Sequence, residues 1–156
     1  MKKLARNFLT DPTAKGIGYF GKPGTGKTHI CIAICQAMHR EHHYWQYRRE
    51  IQRLKGLMYK DIDRYDDAIE TVTKLPYLYI DDLFKAAIVK GELPRQDREI
   101  MFDIINSRYL NHMPTIVSSE FTVGQILEAD EAIGSRLSEM LNPYIYTAET
   151  ERNRRL

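Results

Sequence analysis

The stretch Gly18–Ile34, GYFGKPGTGKTHICIAI, decides how the rest of the chain reads. A short apolar run ends in a six-residue turn, Gly21–Gly26, holding three glycines and a proline, and an apolar helical segment follows at once. Residues 21–28, GKPGTGKT, match G-x-x-x-x-G-K-[ST] in the context that motif needs, a strand before and a helix after. Glycine lets the backbone turn tightly and bring its N–H groups close to a strongly negative ligand. The positive end of the helix dipole adds to the attraction. Gly21, Lys22, Pro23, Gly24, Thr25, Gly26, Lys27 and Thr28 are therefore the expected cradle for a nucleoside triphosphate, ATP. Lys27 should reach the β- and γ-phosphates, and the Thr28 hydroxyl should ligate Mg²⁺. A chance glycine-rich turn is the competing reading, and the complete motif in its complete context argues against it.

Working outward, 156 residues suffice for a single domain, residues 1–156, with a real core. A hydrophobic content of 43% and a charged content of 28% are ordinary for a globular chain. A net charge of +2 is too small to argue for nucleic acid, so any basic surface must be local. The two cysteines, Cys31 and Cys35, share one helix face and would not pair across a single turn. With no disulfide framework the composition fits a reducing cytosol. No apolar run is long enough to span a bilayer, and MKKLARNFLTD lacks the apolar stretch of a signal peptide. The expectation is a cytoplasmic protein with no membrane association.

Leu4 and Phe8 lie on one face of a short helix that Asp11-Pro12 stops. That helix opens at the first residues, as though a preceding region were missing. Short apolar strands are expected at Ile17–Phe20, Tyr44–Tyr47, Pro76–Asp82, Pro114–Glu120 and Tyr144–Thr147. Helices are expected at Thr28–Arg40, Arg48–Lys60, Asp63–Thr73, Pro94–Leu110, Thr122–Glu128 and Asp130–Leu141. Alternation of this kind predicts an α/β fold with a parallel five-stranded sheet between helices.

A phosphate loop needs a second metal-side group, and YLYIDD supplies it where a buried strand ends. Asp81 is placed to hold Mg²⁺ through water, and Asp82 to orient or deprotonate the attacking water. Paired acids also suit a helix N-cap or an exposed turn; beside a phosphate loop the metal-side reading prevails. Hydrolytic sites of this kind more often carry Glu at the second position. The shorter Asp82 predicts slow turnover without an activator.

GKPGTGKT, YIDDLF and PTIVSSEF followed by IGSRLSEM stand in this order. Together they resemble the AAA+ ATPase domain of the bacterial and phage helicase loaders of the DnaC/DnaI type, relatives of the DnaA initiators. The likeness runs from Lys15 to about Leu156. It implies a P-loop NTPase (AAA+) fold and an ATPase that supports replicative helicase loading in DNA replication. It also implies head-to-tail self-assembly with ATP-Mg bound between subunits, and a replicative DNA helicase as partner. The family's sensor position, at the end of the strand matching TIVSSE, falls on Glu120, with Ser119 beside it, where many members have Asn. The arginine finger falls on Arg136 in GSRL, from where it would reach the γ-phosphate of a neighbouring subunit. The family's N-terminal helicase-binding region and its C-terminal lid are both expected to be absent here. Arg152, Arg154 or Arg155 would be the substitutes for the lid's second sensor arginine.

Other readings compete. Arg48, Arg49, Arg53, Lys55, Lys60 and Arg64 interleave with Tyr47, Tyr59 and Tyr65. That mixture suits single-stranded DNA, and equally a solvated helix face diluted by Glu50, Asp61, Asp63, Asp66 and Asp67. Cys35, His39 and His43 have helical spacing but no second cluster, so a core cysteine and surface histidines are expected rather than a metal site. A small nucleotide kinase would need an arginine-rich lid and an acceptor pocket, and neither is visible. IstB-like transposition helper ATPases share the motifs closely. A nucleotide-gated binding module with little turnover would carry them too.

Overall fold

The computed structural model describes residues 1–148. Its elements follow in the order α1 (Lys2–Thr10), β1 (Gly16–Gly21), α2 (Lys27–Ala37), β2 (His43–Gln46), α3 (Tyr47–Lys60), α4 (Ile62–Lys74), β3 (Leu78–Asp81), α5 (Arg95–Leu110), β4 (Thr115–Ser118), α6 (Val123–Ala129), α7 (Glu131–Leu141) and β5 (Ile145–Ala148). Each expected strand and helix is present, with ends displaced by a few residues. α2 stops at Ala37 rather than running to Arg40, because His39 takes a left-handed φ of 49° that ends the helix. β3 and β4 start one or two residues after Pro76 and Pro114, which have no N–H to give to a ladder. Arg152, Arg154 and Arg155 lie outside the described residues.

The strands form one five-stranded sheet, all parallel, in the order β2-β3-β4-β1-β5. Side chains alternate between its two faces. Ile17, Tyr19, Tyr79 and Ile116 point to the face covered by α1 and α2, where they meet Phe8, Cys31 and Ile34. Phe20, Leu78, Ile80 and Val117 point to the larger core, against Ile104, Met101 and Leu137. Met101 and Ile105 of α5 are core residues, with Phe102 and Tyr109 packed beside them.

The same alternation positions chemistry. Asp81 lies two residues beyond Tyr79, and Ser118 two beyond Ile116, so both face α2. Tyr44 is in register with Tyr79 on the neighbouring strand and joins that face. The phosphate loop opens directly into α2. The carboxylate and hydroxyls at the strand ends therefore converge on the first turn of that helix.

Arg108, near the end of α5, is fully buried. Its guanidinium donates to the carbonyls of Val72, Thr73 and Leu75 at the end of α4, to Pro114 O and to Thr115 Oγ1. The carbonyl end of a helix dipole is a favourable seat for a cation. Burial still pushes the Arg108 pKa down to about 10. Among the described residues no helix is long and apolar enough to cross a membrane.

Candidate nucleotide site

The loop between β1 and α2 turns through Gly21, Gly24 and Gly26, whose φ angles are 107°, 82° and 86°. Side chains are disfavoured in that region, and a Cβ on Gly21 would also lie 2.7 Å from the carbonyl oxygen of Ala148. Gly26 is the N-cap of α2 and offers no side-chain acceptor to the first-turn amides. Those N–H groups remain available to a ligand, as in an anion-binding helix start.

Lys27 is only 6% exposed. Its Nζ donates to Gly21 O at 2.6 Å and Lys22 O at 2.7 Å, and it makes no ion pair among the described residues. Burial lowers its pKa, opposed by the nearby Asp82 and Glu120 charges. A buried cation held only by carbonyls at the floor of an amide-lined turn fits a phosphate chain.

Next to it Thr28 Oγ1 donates to Asp81 Oδ1 at 3.0 Å. The same oxygen accepts from Tyr79 at 2.5 Å and Ser118 at 2.6 Å, while Oδ2 accepts from Tyr44 at 2.7 Å. Burial raises the pKa of Asp81, but the bonds from Ser118, Tyr79, Tyr44 and Thr28 together outweigh it and hold the acid below the usual carboxylate range. Asp81 is thus an oriented anion. Burial and the hydrogen bond to Asp81 push the Tyr44 phenol up to about 12, so it remains a donor.

Asp82, the next residue, has a φ of 54°. Its N–H donates to Ser118 Oγ at 3.1 Å, and its carboxylate pairs with Lys85 at 2.7 Å. That bond, ahead of an opposing burial cost, raises the Lys85 pKa. Lys27, Thr28, Asp82, Lys85 and Glu120, with the exposed Ile32, line one cleft of about 480 Å³. Pro23, Gly24 and Gly26 form its loop side.

The phosphate loop, Asp81, Asp82 and Glu120 are thus brought to one place. Ser119 is not. It is fully buried, its hydroxyl donating to Leu83 O at 2.7 Å and accepting from the N–H of Phe121 at 3.1 Å. It fastens the strand end, and the neighbouring Glu120 is the residue that reaches the cleft. Arg136 also lies elsewhere. From α7 it donates to Asn106 Oδ1 at 2.6 Å and Ala132 O at 2.9 Å, and it stacks 4.9 Å from the Phe102 ring centroid.

Sequence reasoning missed Tyr44, Tyr79, Ser118 and Lys85. For Tyr79 the signal was present, since its two-residue spacing from Asp81 puts both on one strand face.

The residues fit Mg²⁺. Thr28 and Asp81 offer hard oxygens side by side, and no cluster of three His, Cys, Asp or Glu among the described residues makes a complete metal cage. Mg²⁺ takes one or two protein ligands and completes its shell with phosphate and water. The basic residues of α3 and the start of α4 are largely self-neutralised. Glu50 takes Arg49 and Arg53, Asp97 takes Lys55, and Asp61 takes Arg64. Arg48 and Lys60 make no ion pair among the described residues. Cys31 and Cys35 are free and buried.

This geometry has relatives. The chain is 34% identical over 142 residues to the uncharacterized protein YqaM of Bacillus subtilis (strain 168), covering 87% of this chain and 44% of that one. It is 32% identical over 141 residues to the phage-like element PBSX protein XkdC of the same organism, covering 88% and 52%. The chain therefore spans about half the length of the curated relatives it matches. Among solved structures it resembles the DnaC helicase loader, with a TM-score of 0.75 and 25% identity over 93% of this chain and 86% of that one. The fold is accordingly the α/β P-loop fold of the AAA+ class, as the motifs implied. The model of the IstB-like ATP binding protein family matches residues 2–140, and the chain belongs to that family.

Proposed function

We propose that this chain is the ATP-hydrolysing AAA+ module of a DnaC/DnaI-like helicase loader, acting in DNA replication in the cytoplasm. The observation that carries the reading is the convergence of buried Lys27, the Thr28–Asp81 pair and Asp82 on one cleft. Backbone N–H groups of the loop from Gly24 to Thr28 and the Lys27 ammonium would hold the phosphate chain. Thr28 Oγ1 and Asp81 would hold Mg²⁺, which when bound offsets charge on the β- and γ-phosphates. Asp82 would orient the attacking water and take its proton, while Glu120 would sense the terminal phosphate. Arg136 would act from a neighbouring copy, leaving Asn106 and Ala132 to reach the γ-phosphate across a head-to-tail interface. ATP bound between copies would then stabilise the assembly, and hydrolysis would loosen it. Single-stranded DNA would be held through Arg48 and Lys60, and a replicative helicase would be the protein partner.

The test is ATP turnover per subunit across protein concentration, with and without single-stranded DNA. Turnover should rise with concentration and with DNA, and should vanish in Arg136→Ala. Flat, negligible turnover despite ATP binding would refute the self-activating enzyme. It would favour a nucleotide-gated module, the reading that the Lys85–Asp82 pair supports. Membership of the IstB-like family keeps a transposition helper as the alternative; capture of a transposase rather than a replicative helicase would select it.

A further inference from the structure

The cleft holds a cation that the site chemistry described so far does not use. Lys85 lines the same walls as Lys27, and its ammonium sits on Asp82 Oδ2 at 2.7 Å. The Asp82 carboxylate makes no other ion pair among the described residues.

The backbone beneath the pair is unusual. Asp82, Phe84 and Ala86 all have left-handed φ angles, 54°, 62° and 59°, without a glycine among them. Such residues persist only where the surroundings hold them. Here Asp82 N is held by Ser118 Oγ, Leu83 N by Ser118 O at 2.8 Å, and Leu83 O by the Ser119 hydroxyl. Leu83 and Phe84 are fully buried, and Lys85 N closes the turn on Asp82 O at 3.0 Å. The backbone is pinned, so both charged side chains are delivered to the cleft from fixed Cα positions.

The contact between those side chains is the soft part. The Lys85 side chain is 46% exposed and that of Asp82 is 26% exposed. An ion pair this wet is weak and readily exchanged. A terminal phosphate, with more charge and more acceptor oxygens than a carboxylate, is the better partner for a flexible ammonium.

We propose that Lys85 is a positioning residue that exchanges Asp82 for the terminal phosphate of a bound nucleoside triphosphate, so that the triphosphate itself releases Asp82 to engage water. This rests on the cleft being the ATP site. A diphosphate, one phosphate shorter, leaves Lys85 on Asp82. The exchange therefore also separates ATP from ADP.

The experiment is calorimetric binding of a non-hydrolysable ATP analogue with Mg²⁺, and of ADP with Mg²⁺, to wild type, Lys85→Met, Asp82→Asn and the double variant. Lys85→Met should weaken the triphosphate analogue by about tenfold and ADP by less than about twofold. Asp82→Asn should tighten the analogue by several-fold, and that gain should disappear in the Lys85→Met background. Lys85→Arg should keep the triphosphate preference. Equal losses for both nucleotides in Lys85→Met overturn the proposal. A gain from Asp82→Asn that survives without Lys85 also overturns it, because relief of repulsion alone would then explain the gain. If wild type binds neither nucleotide, the ATP reading falls and takes this inference with it. If wild type binds both and Lys85→Met leaves their ratio unchanged, only this inference falls. Each variant is first checked by circular dichroism, and Lys85→Gln, which also removes the ammonium, carries the test with the same expected losses should Lys85→Met not fold.

Discussion

Ser118→Ala is the substitution that most directly tests how the acid pair is held. Ser118 is fully buried at the end of β4, and its hydroxyl serves both acids. It donates to Asp81 Oδ1 at 2.6 Å and accepts from the N–H of Asp82 at 3.1 Å. A hydrogen bond to a charged acceptor contributes about 1.5–3 kcal/mol, and an orphaned buried amide costs about 1–3 kcal/mol. Alanine no longer has to bury a hydroxyl, which offsets part of the loss. The net destabilisation expected is about 3 kcal/mol, or about 6–12 °C in Tm at roughly 2–4 °C per kcal/mol for a chain of this size.

The loss has a pH signature. Folding lowers the Asp81 pKa below its ordinary 3.8, so the unfolded chain binds the proton more readily. The stabilisation is complete above the unfolded value and is lost as pH falls through the folded one. Ser118 makes the largest of the hydrogen-bond contributions that lower the Asp81 pKa. Without it the folded pKa moves up towards the unfolded one, and the acid limb of stability flattens. Thermal and urea unfolding of wild type and Ser118→Ala between pH 2.5 and 7 would measure both effects. A Tm loss under about 2 °C at pH 7, or an unchanged acid limb, would refute the reasoning.

Arg108→Met removes five donor contacts to Val72, Thr73, Leu75, Pro114 and Thr115. It should cost about 3–5 kcal/mol, read by urea unfolding, because buried carbonyls lose a charged donor that is shared among them. Burial pushes the Cys35 thiol up to about 11 and Cys31 higher still. Alkylation at pH 8 should therefore be very slow in the folded protein and rapid in urea. On the proposed function, which has Arg48 and Lys60 holding single-stranded DNA, replacing both with alanine should reduce the slope of log K against log[salt] by about 1.4, measured by fluorescence anisotropy, and an unchanged slope would remove these two residues from that role.

What could be read from the sequence was what lies together in the chain. The phosphate loop is contiguous, the two acids are adjacent, and β1, β3 and β4 each read as a short apolar run before Gly, Asp or Ser. The sheet order is not written locally, and the hydroxyls on Asp81 depend on it. Tyr44, Tyr79 and Ser118 come from β2, β3 and β4 and meet only because those strands are neighbours. The fate of the basic residues was equally non-local in part. Glu50 sits within one turn of Arg49 and Arg53, but Asp97, which takes Lys55, arrives from α5.

In the proposed function Asp81 and Asp82 have separate tasks, one toward Mg²⁺ and one toward water. Ser118 Oγ joins them, holding the carboxylate of the first and the backbone of the second. Ser119 extends the joint by fixing Leu83 O, and Leu83 N closes on Ser118 O. Any shift at the end of β4 must then move the Asp81 carboxylate and the backbone that aims Asp82 together. Glu120 follows directly in the same segment and faces the cleft. A displacement of Glu120 would therefore be felt at both acids through that chain of hydrogen bonds.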